Sequence, residues 1–402
     1  MIIELHGAGF HNKGAHLMLL VAAHRLRQAG ATVVCADHIP GHPVEAYRDA
    51  DIQLLFPPSK PARRAKPLKA FFTLSRVAGR LLPMAPPGFV LRQAPNALVD
   101  ISGYAFGDPW GHRRLSNFAH RARYYRRKGK PVVMLPQMLG PFDQPKVRQA
   151  FRRLSQATDL VCARDDRSFA YAADVMGASS PRLLQAPDIT IFSECLTSTA
   201  AACAPRKPYV CIVPNQRVLD SGAQKDSWAP MYRDRLLTAA HMAHDAGFEV
   251  DVVVHDSTPG DDDVLARALV AELRFARLVI EPDPIALKKR IAQAHLLVGS
   301  RFHGIVGALS SGVPAVVMGW SHKYEMLLQD FGLPDWTYGP QEPATAFVAA
   351  LQRGLDDDDN AAARALLRER KESLRASHDA MWQAATQALG LSRSAVSDDE
   401  AP

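Results

Sequence analysis

Apolar and polar positions follow two rhythms along the chain. Short runs that are apolar throughout alternate with longer stretches carrying an apolar residue every three or four positions. The first kind reads as a strand covered on both faces and the second as an amphipathic helix. In the first half, strands are expected at 2–5, 32–36, 97–101, 131–135, 160–163 and 183–186. Helices are expected between them at 13–29, 113–128, 147–157 and 166–176. A second series follows, with strands at 209–213, 249–255, 278–280, 295–298 and 315–318 and helices at 230–246, 262–273 and 284–294. Such alternation implies parallel sheets with helices on both faces. Between the two series, residues 196–208 (LTSTAAACAPRKP, after Cys195) are small, polar and proline-containing, the composition of a linker. The expected fold class is α/β: two doubly wound domains, 1–195 and 209–343, with a cleft between them. Residues 344–391 read as Ala-rich helices and 392–402 as a disordered tail.

A length of 402 residues agrees with two cores, and 47% hydrophobic residues mark a globular chain. No run is long and apolar enough to span a bilayer, and Met1 leads almost directly into a strand without the order of a secretory signal. Five scattered cysteines, none in C-x-x-C, read as free thiols in a reducing cytoplasm. Fifteen histidines show no zinc spacing, so no metal is expected. The charge of +7 is unevenly spread. Segment 57–93 carries Lys60, Arg63, Arg64, Lys66, Lys69, Arg76, Arg80 and Arg92 with no acid, interleaved with Phe71, Phe72 and leucines, and a helix is expected at 67–82. A second basic cluster runs from Arg113 to Lys130. Cations with interleaved apolar residues suit an anionic membrane surface, at the inner leaflet for a cytoplasmic protein. No nucleic-acid module is present, and nucleic acid is not expected as a partner.

Candidate chemistry concentrates in 299–320, GSRFHGIVGALSSGVPAVVMGW. It reads as strand, turn, helix and strand, so Arg301, Phe302, His303 and Gly304 lie where a parallel strand ends and a helix begins. In open α/β sheets ligands bind at that rim. A cation, an imidazole and the free N–H groups of a helix start converge there, which suits a phosphate or carboxylate. Arg164 follows strand 160–163 in the same way. Gly7, Gly9, Asn12 and Gly14 separate the first strand from the first helix and would let backbone approach a ligand. Asn12 breaks the dinucleotide G-x-G-x-x-G spacing, so no nicotinamide cofactor is expected.

Read together, five segments resemble the polysaccharide pyruvyl transferase family: 7–20 (GAGFHNKGAHLMLL), 131–142 (PVVMLPQMLGPF, with Q-x-x-G-P), 161–168 (VCARDDRS), 186–191 (APDITI) and 299–314 (R-x-H, then G-V-P). Two departures fall in loops that would line the acceptor side. Ala15 stands where many members carry Asp, and 102–111 is SGYAFGDPWG in place of a glycine run. The resemblance implies two Rossmann-like domains in a glycosyltransferase-B-like arrangement. It also implies transfer of pyruvate from phosphoenolpyruvate, a co-substrate with no cofactor beside it, to a sugar of a cell-surface polysaccharide or its lipid-linked precursor, closing a cyclic ketal. That chemistry needs an anion clamp, an acid for the methylene carbon and an acceptor for hydroxyl protons. Arg301 and Arg164 are the expected clamps, with Phe302 and Gly304 beside them, and His303 is the expected acid or base. Asp188 and Asp108 are candidates for the hydroxyl protons, and Tyr104, Trp110 and Trp320 for stacking on sugar rings. The competing classes are a nucleotide-sugar glycosyltransferase of the same architecture and a non-catalytic scaffold in polysaccharide assembly.

Overall fold

The computed structural model describes residues 1–7, 9–35, 51–56, 89–91, 94–196, 207–220, 224–258 and 261–391. Two parallel sheets organise them. The first holds β1 (Ile2–His6), β2 (Thr32–Cys35), β3 (Gln53–Phe56), β4 (Phe89–Leu91), β5 (Ala97–Asp100), β6 (Val132–Gln137), β7 (Leu160–Ala163) and β8 (Leu183–Gln185), in the order β4-β3-β2-β1-β5-β6-β7-β8. The second holds β9 (Tyr209–Val213), β10 (Glu249–Val254), β11 (Arg277–Ile280), β12 (Leu296–Gly299), β13 (Ala315–Met318) and β14 (Thr337–Tyr338), in the order β11-β10-β9-β12-β13-β14. Both orders turn back on the first strand, which opens a crevice at the C-terminal strand ends. The central strands β5, β6, β7, β9, β12 and β13 are buried at every position, because helices cover both faces.

Most elements fall within a residue or two of their expected places. β3, β4 and β14 were not expected. Each is two to four residues long and lies toward a sheet edge, where a short apolar run does not stand out from loop sequence. β4 lies inside the basic segment 57–93. The expected helix at 67–82, the rest of that basic segment, linker residues 197–206 and tail 392–402 lie outside the described residues. Cys162 and Cys211 are buried, and Cys195 is partly exposed.

The C-terminal helices divide between the two domains. Helix Ala344–Leu355 packs through Phe347 and Leu351 into the core of the second sheet. Helix Arg375–Leu389 returns to the first, where Met381, Trp382, Ala385 and Leu389 join Ile3, Val99, Val133 and Leu160 in one buried cluster. Burial of each large side chain contributes about 1.5–3 kcal/mol. The chain therefore crosses the cleft twice.

Direct contacts hold the two strand rims face to face. Asn12 and Asp256 form an isolated antiparallel bridge, and the Lys13 amide donates to the His255 carbonyl at 3.1 Å. The Lys13 ammonium, drawn into the interior, donates to the Pro282 carbonyl at 3.1 Å. On the far side, Lys288 Nζ donates to the Thr190 carbonyl at 2.6 Å and to Ser193 Oγ at 2.7 Å.

Candidate active site

A cavity of about 720 Å³ lies between the rims, lined from the first domain by Asn12, Ser102, Tyr104, Trp110, Arg114 and Arg164 and from the second by Arg217, His255, Arg301, Phe302, His303, Trp320 and Lys323, among others. Arg164 and Arg301 thus face one space, from opposite sheets.

Each of these residues is placed by a strand–helix junction. β7 ends at Ala163, and Asp165 caps the next helix, its carboxylate accepting from the Ser168 amide at 2.7 Å. That fixes Arg164 between strand and cap. Its partner is Asp188 rather than its neighbour Asp165: Nη1 donates to Asp188 Oδ2 at 3.1 Å. The guanidinium lies over the Phe302 ring, 4.1 Å from its centroid, a cation–π contact across the cleft. Arg164 is buried, and its Nη2 has no hydrogen-bond partner among the described residues. A buried, unsatisfied guanidinium nitrogen beside a cavity marks a place for an anionic oxygen.

Asp188 joins Arg164 to His303. His303 Nε2 lies 3.4 Å from Asp188 Oδ2, an ion-pair contact without hydrogen-bond geometry. Asp188 Oδ1 accepts from the Thr190 amide at 2.9 Å and hydroxyl at 2.7 Å. Burial opposes charge on Asp188, but His303, Arg164 and the Thr190 hydroxyl outweigh it and hold the carboxyl well below the usual carboxylate range. Asp188 is therefore a fixed anion that positions a cation and an imidazole. It is a poor acceptor of hydroxyl protons, which corrects one of its expected roles.

Arg301 also departs from expectation. Its Nη1 donates to Asp256 Oδ2 at 3.2 Å, and its Nη2 donates to Asp261 Oδ1 and Asp262 Oδ1, both at 2.5 Å. Burial works against its charge, yet Asp262, Asp256 and Asp261 raise its pKa. Both Nη atoms are engaged by carboxylates of its own domain and only the buried Nε has no partner among the described residues, so Arg301 does not offer its Nη pair as a free bidentate clamp. The sequence motif placed Arg301 correctly at the rim; the acids that claim it arrive from the β10 loop, about forty residues earlier, and no local pattern links them.

Lys323 also lines the cavity. It sits one residue inside helix His322–Asp330, which follows β13. Its ammonium lies 5.3, 5.6, 4.5 and 4.9 Å from the ring centroids of Tyr104, Phe302, Trp320 and Tyr324. Burial, then repulsion from Arg164, Arg301 and Arg217, lowers its pKa well below the ordinary lysine value. The rim rule that singled out Arg164 and Arg301 applies equally to the W-S-H-K that follows strand 315–318, and Lys323 could have been found by it. Arg217 also lines the cavity and pairs with Asp256 at 3.7 Å and Asp261 at 3.5 Å.

The remaining expected residues separate by role. Asn12 caps the first helix, its Oδ1 accepting from the Gly14 amide at 3.0 Å, and its Nδ2 donates to Asp256 Oδ2 at 3.1 Å. A Cβ on Gly14 would lie 2.1 Å from His303 Nδ1, so this glycine is what lets the imidazole approach the first helix. Gly304 is a packing position, since an added Cβ would meet His255 at 3.3 Å and Val213 at 3.4 Å. Gly9 lies in the connection between β1 and the first helix and does not line the cavity. Tyr104 and Trp110 meet edge to face at 5.2 Å on the cavity wall, with Arg114 5.4 Å over the Trp110 ring, and both remain suited to sugar stacking. Asp108 does not. Its carboxylate accepts from the Asp143 amide at 2.9 Å and the Gln144 amide at 3.3 Å, so it staples one loop to another outside the cavity lining. Among the described residues no group of acids, histidines and cysteines could hold a metal ion, and no helix is long and apolar enough to cross a membrane.

Two facing parallel α/β domains, a crossing C-terminal helix and a cationic cleft define the glycosyltransferase-B type of fold. The solved structures that resemble the chain are of that type: UDP-N-acetylglucosamine 2-epimerase of Neisseria meningitidis bound to UDP-GlcNAc (TM-score 0.59, 10% identity, covering 96% of this chain and 100% of that one); S. aureus MnaA with UDP (0.58, 11%, covering 97% of each); and the spinosyn rhamnosyltransferase SpnG with spinosyn aglycone (0.53, 16%, covering 93% of this chain and 97% of that one). At these identities the likeness is one of fold. Residues 12–322 match the model of the polysaccharide pyruvyl transferase family, and the chain belongs to that family.

Proposed function

We propose that this protein transfers the pyruvyl group of phosphoenolpyruvate to a sugar of a cell-surface polysaccharide or its lipid-linked precursor and closes it as a cyclic ketal. The observation that carries the reading is the cationic pair Arg164 and Lys323, one with an unsatisfied nitrogen and the other with its charge held back by burial, beside His303. Phosphoenolpyruvate brings a carboxylate and a phosphate on a three-carbon frame, and two cations from opposite domains can hold one each. His303 delivers a proton to the methylene carbon, which makes C2 electrophilic. Asp188 orients the ring and supplies its counter-charge. A sugar hydroxyl then bonds to C2, phosphate leaves, and a second hydroxyl closes the ring.

The basic face of helix His112–Arg127 belongs to the same proposal. Arg113, Arg123, Arg126 and Arg127 are exposed on it, which suits an acceptor presented at an anionic leaflet.

The test is incubation with phosphoenolpyruvate and a panel of p-nitrophenyl hexosides, with mass spectrometry of the glycosides and assay of released phosphate. A pyruvyl ketal formed with stoichiometric phosphate supports the reading. Glycosyl transfer from a nucleotide sugar, with no reaction of phosphoenolpyruvate, would replace it by the glycosyltransferase alternative.

A further inference from the structure

The cleft cavity adjoins a second compartment of about 510 Å³ in the first domain, and the two share Ser102, Tyr104 and Arg114. β1 and β5 end beside it in register, which sets His6 opposite Asp100. His6 Nδ1 lies 2.6 Å from Asp100 Oδ1. Asp100 is fully buried and also accepts from Ser102 Oγ at 2.8 Å and from Gln137 Nε2. An ionised carboxylate only accepts, so it fixes Nδ1 of the ring as the donor and leaves Nε2 with the free lone pair. No protein group hydrogen-bonds Nε2 among the described residues, and the His6 side chain is 27% exposed on the compartment wall. The Phe118 ring stacks on the imidazole at 4.6 Å and holds its plane. A histidine oriented by a buried carboxylate, with its other nitrogen open to a space contiguous with the anion site, has the geometry of a general base.

We propose that this compartment takes the acceptor sugar and that His6, positioned by Asp100, removes the proton from the attacking hydroxyl; this deepens the pyruvyl-transfer reading and rests on it. In the step, the hydroxyl O–H bond breaks and its proton goes to Nε2, while the oxygen pair forms the bond to C2. The C2–C3 π pair takes a proton from His303. The product is a tetrahedral sugar adduct still carrying phosphate, which leaves with its C–O pair when the second hydroxyl closes the ring. That hydroxyl's proton departs to the phosphate. His6 returns its own proton to solvent, and His303 regains one from solvent. Asp100 touches no substrate and acts through His6.

The test compares wild type with His6→Gln, His6→Phe and Asp100→Asn. His6→Phe keeps the stack on Phe118 and separates loss of the base from loss of packing. Phosphoenolpyruvate affinity by calorimetry is expected within about twofold of wild type in both His6 variants. Ketal formation with the p-nitrophenyl hexosides is expected to fall roughly 10²–10⁴-fold, the scale of general acid–base catalysis. The rise of kcat with pH on the acid side is expected to disappear in both His6 variants and to shift in Asp100→Asn. Independently of any acceptor, nitrogen-15 NMR of labelled histidine is expected to show His6 as the Nδ1–H tautomer with Nε2 titrating. Turnover within threefold of wild type with an unchanged pH profile would overturn the assignment. So would an Nε2 that stays protonated throughout the working pH range, or phosphoenolpyruvate affinity lost in both His6 variants. Wild type that neither binds nor consumes phosphoenolpyruvate would instead remove the pyruvyl-transfer reading, and the role of His6 with it.

Discussion

At the residue scale, the site is built from charges whose partners decide what each can do. Arg301 and Arg164 are both buried rim arginines, but Arg301 has both Nη atoms on three carboxylates and only Nε without a partner, while Arg164 has one carboxylate partner and an unpartnered Nη2. Their alanine variants should therefore differ in kind. Arg301→Ala takes the cation from buried Asp262 and leaves Asp256 and Asp261 only the more exposed Arg217, and should cost about 3–5 kcal/mol of stability in denaturant melts, the range for a broken buried ion pair. Arg164→Ala should weaken phosphoenolpyruvate binding by about 2–5 kcal/mol, with Arg164→Lys recovering only part, because a point charge does not reproduce the fork. Calorimetry beside the melts separates the two. His255 gives a pH signature. Burial first, then Arg301 and His303, lowers its pKa from 6.5 to about 3, so the folded protein keeps it neutral while the unfolded chain takes up a proton below 6.5. The stability this supplies is fully present above pH 6.5 and is lost as pH falls toward 3. By pH 5 the loss is about 2 kcal/mol. Thermal melts at pH 7 and pH 5 should show that drop in wild type and a smaller one in His255→Gln.

At the scale of elements, function depends on how closely the first helix of one domain meets helix Phe302–Leu309 of the other. Gly14 sits at that contact. Its backbone is ordinary helix, so Gly14→Ala should leave the helix as stable or slightly more so. The new methyl would displace the His303 ring, and turnover should fall at least about a hundredfold if the ring carries the proton transfer. A normal rate with unchanged melting would detach His303 from the chemistry. This is also the scale at which the sequence was most legible. Strands 160–163 and 295–298 are short, largely apolar runs with clear turns after them, and the rim positions of Arg164 and His303 followed directly. What the sequence did not disclose were pairings between elements far apart along the chain: Arg301 with the β10 loop, Asp108 with the loop before helix Pro145–Ser155, and His6 with Asp100. The rim rule reaches Lys323 in the sequence, but its aromatic surroundings come from three separate segments and were not legible.

At the scale of the whole molecule, the chain closes on itself. Helix Arg375–Leu389 completes the core of the first domain from the far end of the sequence, which its helical periodicity alone did not reveal. Trp382→Ala should cost about 3–5 kcal/mol and lower the stability of the first domain although the residue follows the second. Limited proteolysis that localised the weakening to the second sheet would contradict this packing. The direct measurement of the central claim is calorimetric titration of wild-type protein with phosphoenolpyruvate and, separately, with UDP-N-acetylglucosamine, each in two buffers of different ionisation enthalpy. Burial works against the charge of Lys323 and an anion between Arg164 and Lys323 favours it, so binding should take up protons. Phosphoenolpyruvate should bind with proton uptake, and the nucleotide sugar should not bind. Binding of the nucleotide sugar with no heat from phosphoenolpyruvate would contradict that claim.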